Sequence, residues 1–411
     1  MFGWFQEVSR QEKKALVAAY GGWSMDAFDF MVYSFLIPTL MAAWKMSGGE
    51  AGLIVTSALL MSAIGGWAAG VLADRWGRVR VLQITIAWFA LFTFLSGFTN
   101  SFEQLLITRS MQGLGFGGEW AVGSVMIGEI IRSQHRGKAV GTVQSGWAVG
   151  WGLAAILFTV FYTVLPEDLA WRALFWVGVL PALLIFYVRK NVQEPAVSTA
   201  TRVRVEEQGG SFLEIFSPAL LRTTMLASLM TTGMQGGYYA ITTWLPAYLK
   251  TERGLSVIGT GSYLVVIIVG SFIGYLVSAF LSDQIGRRNT FFVFAVSSAC
   301  IAAFYTFFPI SNATMLVLGF PLGFFVSGNF SGVGAFLTEL YPSRVRGSGQ
   351  GFAYNFGRGV GALFPTLVGF MSAKMHLGTA IGIFAGIAYL LVLFAVSLLP
   401  ETRGKELAVY D

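Results

Sequence analysis

The chain has 411 residues, of which 55% are apolar and only 12% charged, with 36 phenylalanines and a mean hydropathy of +0.66. Soluble domains carry roughly a quarter charged residues, so a soluble globular protein is excluded and an integral membrane protein is expected. The net charge of +6 does not point to nucleic acid, because no basic patch interleaved with stacking aromatics lies outside the apolar runs.

The first 15 residues, MFGWFQEVSRQEKKA, are polar and lack the apolar core and cleavage site of a signal peptide, so the first span is expected to stay in the protein. Twelve apolar runs follow, each long enough to cross about 30 Å of hydrocarbon. They fall at roughly 16–43, 52–74, 79–99, 104–131, 138–163, 169–188, 221–247, 258–281, 289–308, 312–338, 347–370 and 376–398, with ends good to about four residues. An all-α polytopic membrane protein is therefore expected. Of 27 lysines and arginines, 20 fall in the loops on one side and five (Lys45, Arg172, Lys250, Arg253, Lys374) on the other. Cytoplasmic loops carry the basic excess, which places both termini in the cytoplasm. The remaining two, Arg109 and Arg358, lie inside spans. One cysteine, Cys300, excludes an intrachain disulfide, and His135 and His376 sit at span ends, so neither a metal centre nor another cofactor is expected.

The first span contains GGWSMDAFDFMVYSFLIP, Gly21 to Pro38, whose only charged residues are Asp26 and Asp29. An ionisable residue at bilayer depth costs about 2.5–3.5 kcal/mol on insertion scales and usually faces a cavity or a partner. At i, i+3 the two acids share one helix face. Close carboxylates in a low dielectric cannot both ionise cheaply, so a proton is expected to be taken up and released there. The alternative is structural, with one acid bridging to an arginine and the other facing water. The second span closes with GVLADRWGR, Gly70 to Arg78, where Asp74 meets a basic loop containing Arg75 and Arg78. An ion pair there would latch neighbouring helices, although topology-setting charge accounts for the arginines alone.

Span four, RSMQGLGFGGEW, opens with Arg109 and carries Glu119 and Trp120; Arg109 and Glu119 are about 15 Å apart along the axis. Its glycines let another helix approach closely. GLGFGG also fits a dinucleotide-binding pattern, but no strand precedes it and it lies within an apolar span, so helix packing is the reading. Gln144 and Trp147 in span five, Gln235, Tyr238 and Tyr239 in span seven, and Asn329 in span ten lie at similar depth. They are candidate cavity residues, with helix packing as the other account of each. In span eleven, YNFGRGVG places Arg358 amid an apolar helix. Its planar fork suits a carboxylate, and Tyr354 and Asn355 lie on the same face. A partner acid, Glu119 or Asp29, would serve when no substrate is bound.

The chain repeats itself. GVLADRWGR closes span two and AFLSDQIGR, Ala279 to Arg287, closes span eight at an offset of 209; GEIIRSQHRG and TELYPSRVRG share Glu, Arg and Gly at an offset of 210. Two six-span halves, 1–190 and 221–411, are expected, joined by a cytoplasmic linker over 191–220. Parallel six-helix repeats are a transporter architecture.

GVLADRWGR, LSDQIGRR, RSMQGLGFGGEW and the terminal LPETRG together resemble the major facilitator superfamily across nearly the whole chain. MDAFDF and GGEW are similar to its proton-coupled organic acid symporters, the sialate, aromatic acid and metabolite symporter families. The resemblance implies twelve helices in two six-helix domains that rock around a central cavity, working as a monomer. It also implies a conformational latch at Gly70, Asp74, Arg75, Gly77 and Arg78, with a degenerate copy at Asp283, Gly286 and Arg287. It further implies that Arg109 biases a nearby acid between charged and neutral forms; the other account of Arg109 is a static salt bridge to a first-span aspartate.

The expected function is proton-driven import of a small organic carboxylate across a bacterial inner membrane, with H+ as coupling ion. An efflux antiporter of the same fold often carries a Gly-Pro signature in span five, and GTVQSGWAVGWGLA has no proline. A uniporter is a further alternative. A membrane-embedded enzyme would need a nucleophile with its base, or a metal set, at one depth; no histidine lies mid-span and no HExxH or nucleophile elbow occurs.

Overall fold

The computed structural model describes residues 4–130, 136–180, 182–191, 212–342 and 345–403, helical apart from short connections. The helices are α1 (Trp4–Glu7), α2 (Arg10–Trp44), α3 (Gly48–Trp76), α4 (Arg78–Ser96), α5 (Phe102–Ile130), α6 (Arg136–Val164), α7 (Glu167–Val177) and α8 (Ala182–Asn191). After a 3-10 turn at Phe212–Phe216 come α9 (Leu221–Thr251), α10 (Val257–Ile285), α11 (Arg287–Phe307), α12 (Asn312–Gly328), α13 (Val333–Leu340), α14 (Arg346–Gly361), α15 (Leu363–Met371) and α16 (Leu377–Leu398). The 35-residue α2, about 52 Å long, starts at a capping box in which Ser9 Oγ accepts from the Glu12 N–H and Glu12 Oε2 accepts from the Ser9 N–H.

Eight stretches among the described residues are long and apolar enough to cross a membrane. The other four expected spans are α5, α7 with α8, α9, and α14 with α15. They are interrupted or carry interior polar and charged residues, which lowers their apolar character. Spans six, ten and eleven, expected as single helices, are each broken. In span ten the break falls at Asn329–Gly332, where Asn329 Nδ2 donates back to the Phe325 carbonyl and Ser331 Oγ donates to the Tyr275 carbonyl. Such local side-chain bonds offer the backbone an alternative to the helix ladder.

Helices α2–α8 pack on one another and α9–α16 do likewise, giving two six-span repeats. The duplication is visible in the backbone: Gly77 (φ 94°, ψ 152°) and Gly286 (φ 100°, ψ 160°), 209 residues apart, make the same turn between helices. A positive φ of this size favours glycine. The repeats meet where α6 packs on α10, α3 on α14 and α15, and α2 on α9. At the end where α3 begins the seam is tight. A Cβ on Gly48 would come within 2.8 Å of the Gly369 carbonyl, and one on Gly52 within 2.6 Å of the Pro365 carbonyl. Thr56 Oγ1 bonds the Ala362 carbonyl there and lies 2.7 Å from Thr366 Oγ1. At the opposite end, a Cβ on Gly334 or Gly351 would meet no described atom within 4 Å.

Candidate functional site

Asp26 and Asp29 are both fully buried, and the structure gives them different partners. Arg109 Nη1 donates to both Asp29 carboxylate oxygens, at 2.9 and 2.8 Å, and Nη2 lies 3.5 Å from the Asp29 carbonyl. The guanidinium sits over the Tyr33 and Phe175 rings, 5.9 and 5.8 Å from their centroids. Removing either partner would leave an uncompensated buried charge.

Asp26 lies instead against Glu119 of α5, at hydrogen-bonding reach. Neither Asp26 oxygen meets an N–H or O–H donor among the described residues, and Glu119 is also buried. Ionised carboxylates only accept hydrogen bonds, so neither acid can satisfy the other while both are ionised. The i, i+3 spacing left open that Asp26 and Asp29 act on each other or that one bridges to an arginine; the crossing of α2 and α5 gives Asp29 the arginine and sets Asp26 beside Glu119. Those spans run in opposite directions. The ten residues from Arg109 to Glu119 cover about 15 Å, and the long arginine side chain takes up the excess over the Asp26–Asp29 spacing.

Arg358 of α14 reaches the same place from the second half. Nη1 donates to Ser62 Oγ of α3 at 3.1 Å, Nη2 lies 3.5 Å from the Tyr354 hydroxyl, and the guanidinium sits over the Phe116 and Tyr354 rings, 5.3 and 5.1 Å from their centroids. It is 1% exposed and within electrostatic reach of Asp26. Ser62 is brought there because Gly117 has no side chain: a Cβ would overlap the Ser62 carbonyl. The span-four glycines thus set the spacing of α3 and α5 at the site.

Between the halves lies a narrow cavity with room for about one or two water-sized groups. Of the residues expected there, Gln144, Trp147, Tyr238, Tyr239, Tyr354 and Arg358 line it. Two bonds cross it from α6: Trp147 Nε1 donates to the Tyr238 hydroxyl at 2.5 Å, and Gln144 Nε2 lies 3.5 Å from the Phe330 carbonyl. Gln235 braces the wall from behind, donating to the Tyr354 carbonyl at 2.9 Å and accepting from the Tyr239 hydroxyl at 3.2 Å. Asn355 donates to the Gly351 carbonyl at 3.0 Å and faces Gly66 of α3, away from the lining. Asn329 bonds Ser298 Oγ at 3.2 Å and packs against α11, also away from it. The side chains of Trp120, Asp74, Arg75, Arg78 and Asp283, and Gly70, lie outside the described residues.

Trp23, Phe116, Tyr275 and Phe330 complete the lining, and none was anticipated. Trp23 and Phe116 each stand three residues before an interior acid, so the shared helix face was an available signal. Tyr275 offered only a hydroxyl in an apolar span. Ser62 offered no signal, since serines recur throughout these helices.

In the second copy of the latch loop, Arg287 pairs with Glu339 at 3.1 Å and donates to Ser282 Oγ at 3.0 Å. Glu401 of the LPETRG segment accepts from the backbone N–H groups of Arg287 and Arg288, at 2.8 and 3.1 Å. Three separated motifs of the sequence therefore meet at one helix end.

The Major Facilitator Superfamily profile matches residues 20–315 and 260–409. A probable 4-methylmuconolactone transporter of Cupriavidus pinatubonensis is 43% identical, the match covering 98% of this chain and 94% of that one. The cis,cis-muconate transport protein of Acinetobacter baylyi is 30% identical, covering 96% and 94%. Among solved structures, the inward-open xylose transporter XylE from E. coli superposes with a TM-score of 0.74 at 20% identity, covering 95% of this chain and 97% of that one. This last likeness concerns the fold alone.

Proposed function

The chain belongs to the major facilitator superfamily, a membrane transporter and not an enzyme, and we propose that it imports an organic carboxylate together with protons by alternating access. One observation carries the reading: a buried acid pair, Asp26 and Glu119, stands beside the Arg358 guanidinium at the edge of a cavity between the halves. The arginine supplies the charge that a carboxylate needs, and the acid pair supplies a site for one proton. Loading either site alters the field at the other, which is the requirement for coupling. The names of the relatives fit this substrate class, since muconate and muconolactone both bear carboxylates.

Both termini are cytoplasmic in this account, so the tight Gly48–Gly369 seam closes the outer side. The halves, 1–190 and 221–411, rock as units about the 191–220 linker within one monomer. The loops around Gly77 and Gly286, with Asp74, Arg75, Arg78, Asp283 and Arg287, act as the latch, and the Arg287–Glu339–Glu401 cluster supports that role in the second half.

The test is internal pH in proteoliposomes as each member of a carboxylate panel is added outside, with uncharged analogues and empty liposomes as controls. Protein-dependent acidification with a carboxylate is expected. Radiolabelled influx of the same compound without acidification would leave a uniporter or another coupling ion.

A further inference from the structure

A second cavity lies one helical turn beyond the central one along α6 and α9, where Trp151 follows Trp147 by four residues and Thr242 follows Tyr238 by four. It has room for about one water-sized group, and Ser271 of α10 and Ser327 of α12 line it. Its hydrogen bonding is unbalanced. Ser327 Oγ donates to Ser271 Oγ at 2.9 Å, Ser271 Oγ to the Ile267 carbonyl at 3.0 Å, and Thr242 Oγ1 to the Tyr238 carbonyl at 2.8 Å. Each hydroxyl in this wall has committed its proton. The indole N–H of Trp151, on a residue 1% exposed, meets no acceptor among the described residues. A buried donor left this way is costly unless a ligand or an ordered water satisfies it.

We propose that this cavity is the far subsite for the transported carboxylate, with Trp151 donating to a neutral oxygen acceptor at the end opposite the carboxylate, such as the carbonyl of a lactone ring. The inference rests on the carboxylate reading, in which the charged end lies at Arg358. A hydrocarbon end would leave the Trp151 N–H unsatisfied. A second carboxylate would be stripped of water with one neutral donor to meet it, which is unfavourable. Sites built around a hydrogen bond reject an analogue that lacks it better than apolar pockets reject a missing methylene. The Trp147–Tyr238 bond lies one helical turn before Trp151 and Thr242, among the residues that line the central cavity.

The test compares muconolactone with cyclopent-2-enylacetate, which has the same ring-and-acetate skeleton without the ring ester. Affinities are read as inhibition of carboxylate exchange in proteoliposomes. Wild type should prefer muconolactone by about fivefold, the effect of one neutral hydrogen bond, and Trp151→Phe should bring the ratio of the two affinities close to one. A purely structural role for Trp151 would leave the ratio unchanged, which would overturn the proposal. Equal affinities in wild type would show that the cavity holds only an ordered water, and this also overturns it without needing the variant to fold. If neither probe inhibits an exchange that proceeds, this inference falls while the carboxylate reading stands; if no carboxylate exchanges at all, the carboxylate reading falls, and this inference with it.

Discussion

Asp29 and Asp26 lie three residues apart on α2 and are equally buried, yet Asp29 is held by Arg109 at 2.8–2.9 Å while Asp26 lies against a second acid, Glu119. The difference teaches that depth and burial do not assign a role to an intramembrane acid. The partner does. Asp29 is matched to a permanent cation, whereas Asp26 faces another acid. The first pair joins α2 to α5 through an ion pair, and the second sets two acids across the same helix interface, the site proposed above for the transported proton.

The largest expected effect breaks the fixed pair. Asp29→Asn or Arg109→Leu leaves one buried charge unmatched, at a cost of about 3–5 kcal/mol, and should sharply lower the yield of monodisperse protein in detergent. The double variant Asp29→Asn/Arg109→Gln should recover most of that yield. A single variant that folds like wild type and loses only uphill transport would make this pair a moving part and erase the contrast.

Next comes the acid pair. Asp26→Asn should leave the fold intact, because an amide can hold the contact with Glu119, while removing accumulation against a gradient and keeping exchange across equal concentrations. Loss of both to the same degree would assign Asp26 to substrate binding. Arg358→Lys retains charge but loses the fork, and about a tenfold fall in carboxylate affinity is expected from inhibition of exchange. Wild-type affinity there would mean that the guanidinium does not read the substrate.

A smaller effect is expected at the seam. Gly52→Ala places a Cβ within 2.6 Å of the Pro365 carbonyl and 2.7 Å of the Thr366 Cα, neither of which can swing away. In a Cys300→Ser background, a cysteine introduced near this seam should react severalfold faster with a membrane-impermeant thiol reagent. An unchanged rate would show that the seam accommodates the methyl group without opening.

Much of this was legible in the sequence for physical reasons. Apolar runs must be about as long as the bilayer is thick, so the spans could be read, and duplication left matching loops whose glycines, Gly77 and Gly286, still make one turn. Interior charges are costly enough to be conspicuous, and Asp26, Asp29, Arg109, Glu119 and Arg358 are all buried. A bridge from Arg109 to a first-span aspartate was legible as one of two readings, but not which aspartate takes it, because i, i+3 spacing describes one helix while Asp26 and Asp29 find partners on another. Nor were the breaks legible at Asn329 and near Ala362, where Asn329 bonds the Phe325 carbonyl and Thr56 of α3 bonds the Ala362 carbonyl, contacts that hydropathy does not register. The aromatic wall was hidden by abundance: with 36 Phe, 14 Tyr and 12 Trp, only packing separates Trp23 and Phe330 from the rest.

The most direct measurement records internal pH and tracer together while a transported carboxylate enters proteoliposomes down its gradient through wild type and through Asp26→Asn. If the Asp26–Glu119 pair carries the transported proton, wild type acidifies the interior in proportion to tracer and Asp26→Asn admits tracer with little or no acidification. Acidification by Asp26→Asn at the wild-type ratio of protons to tracer would contradict that assignment and place the proton elsewhere.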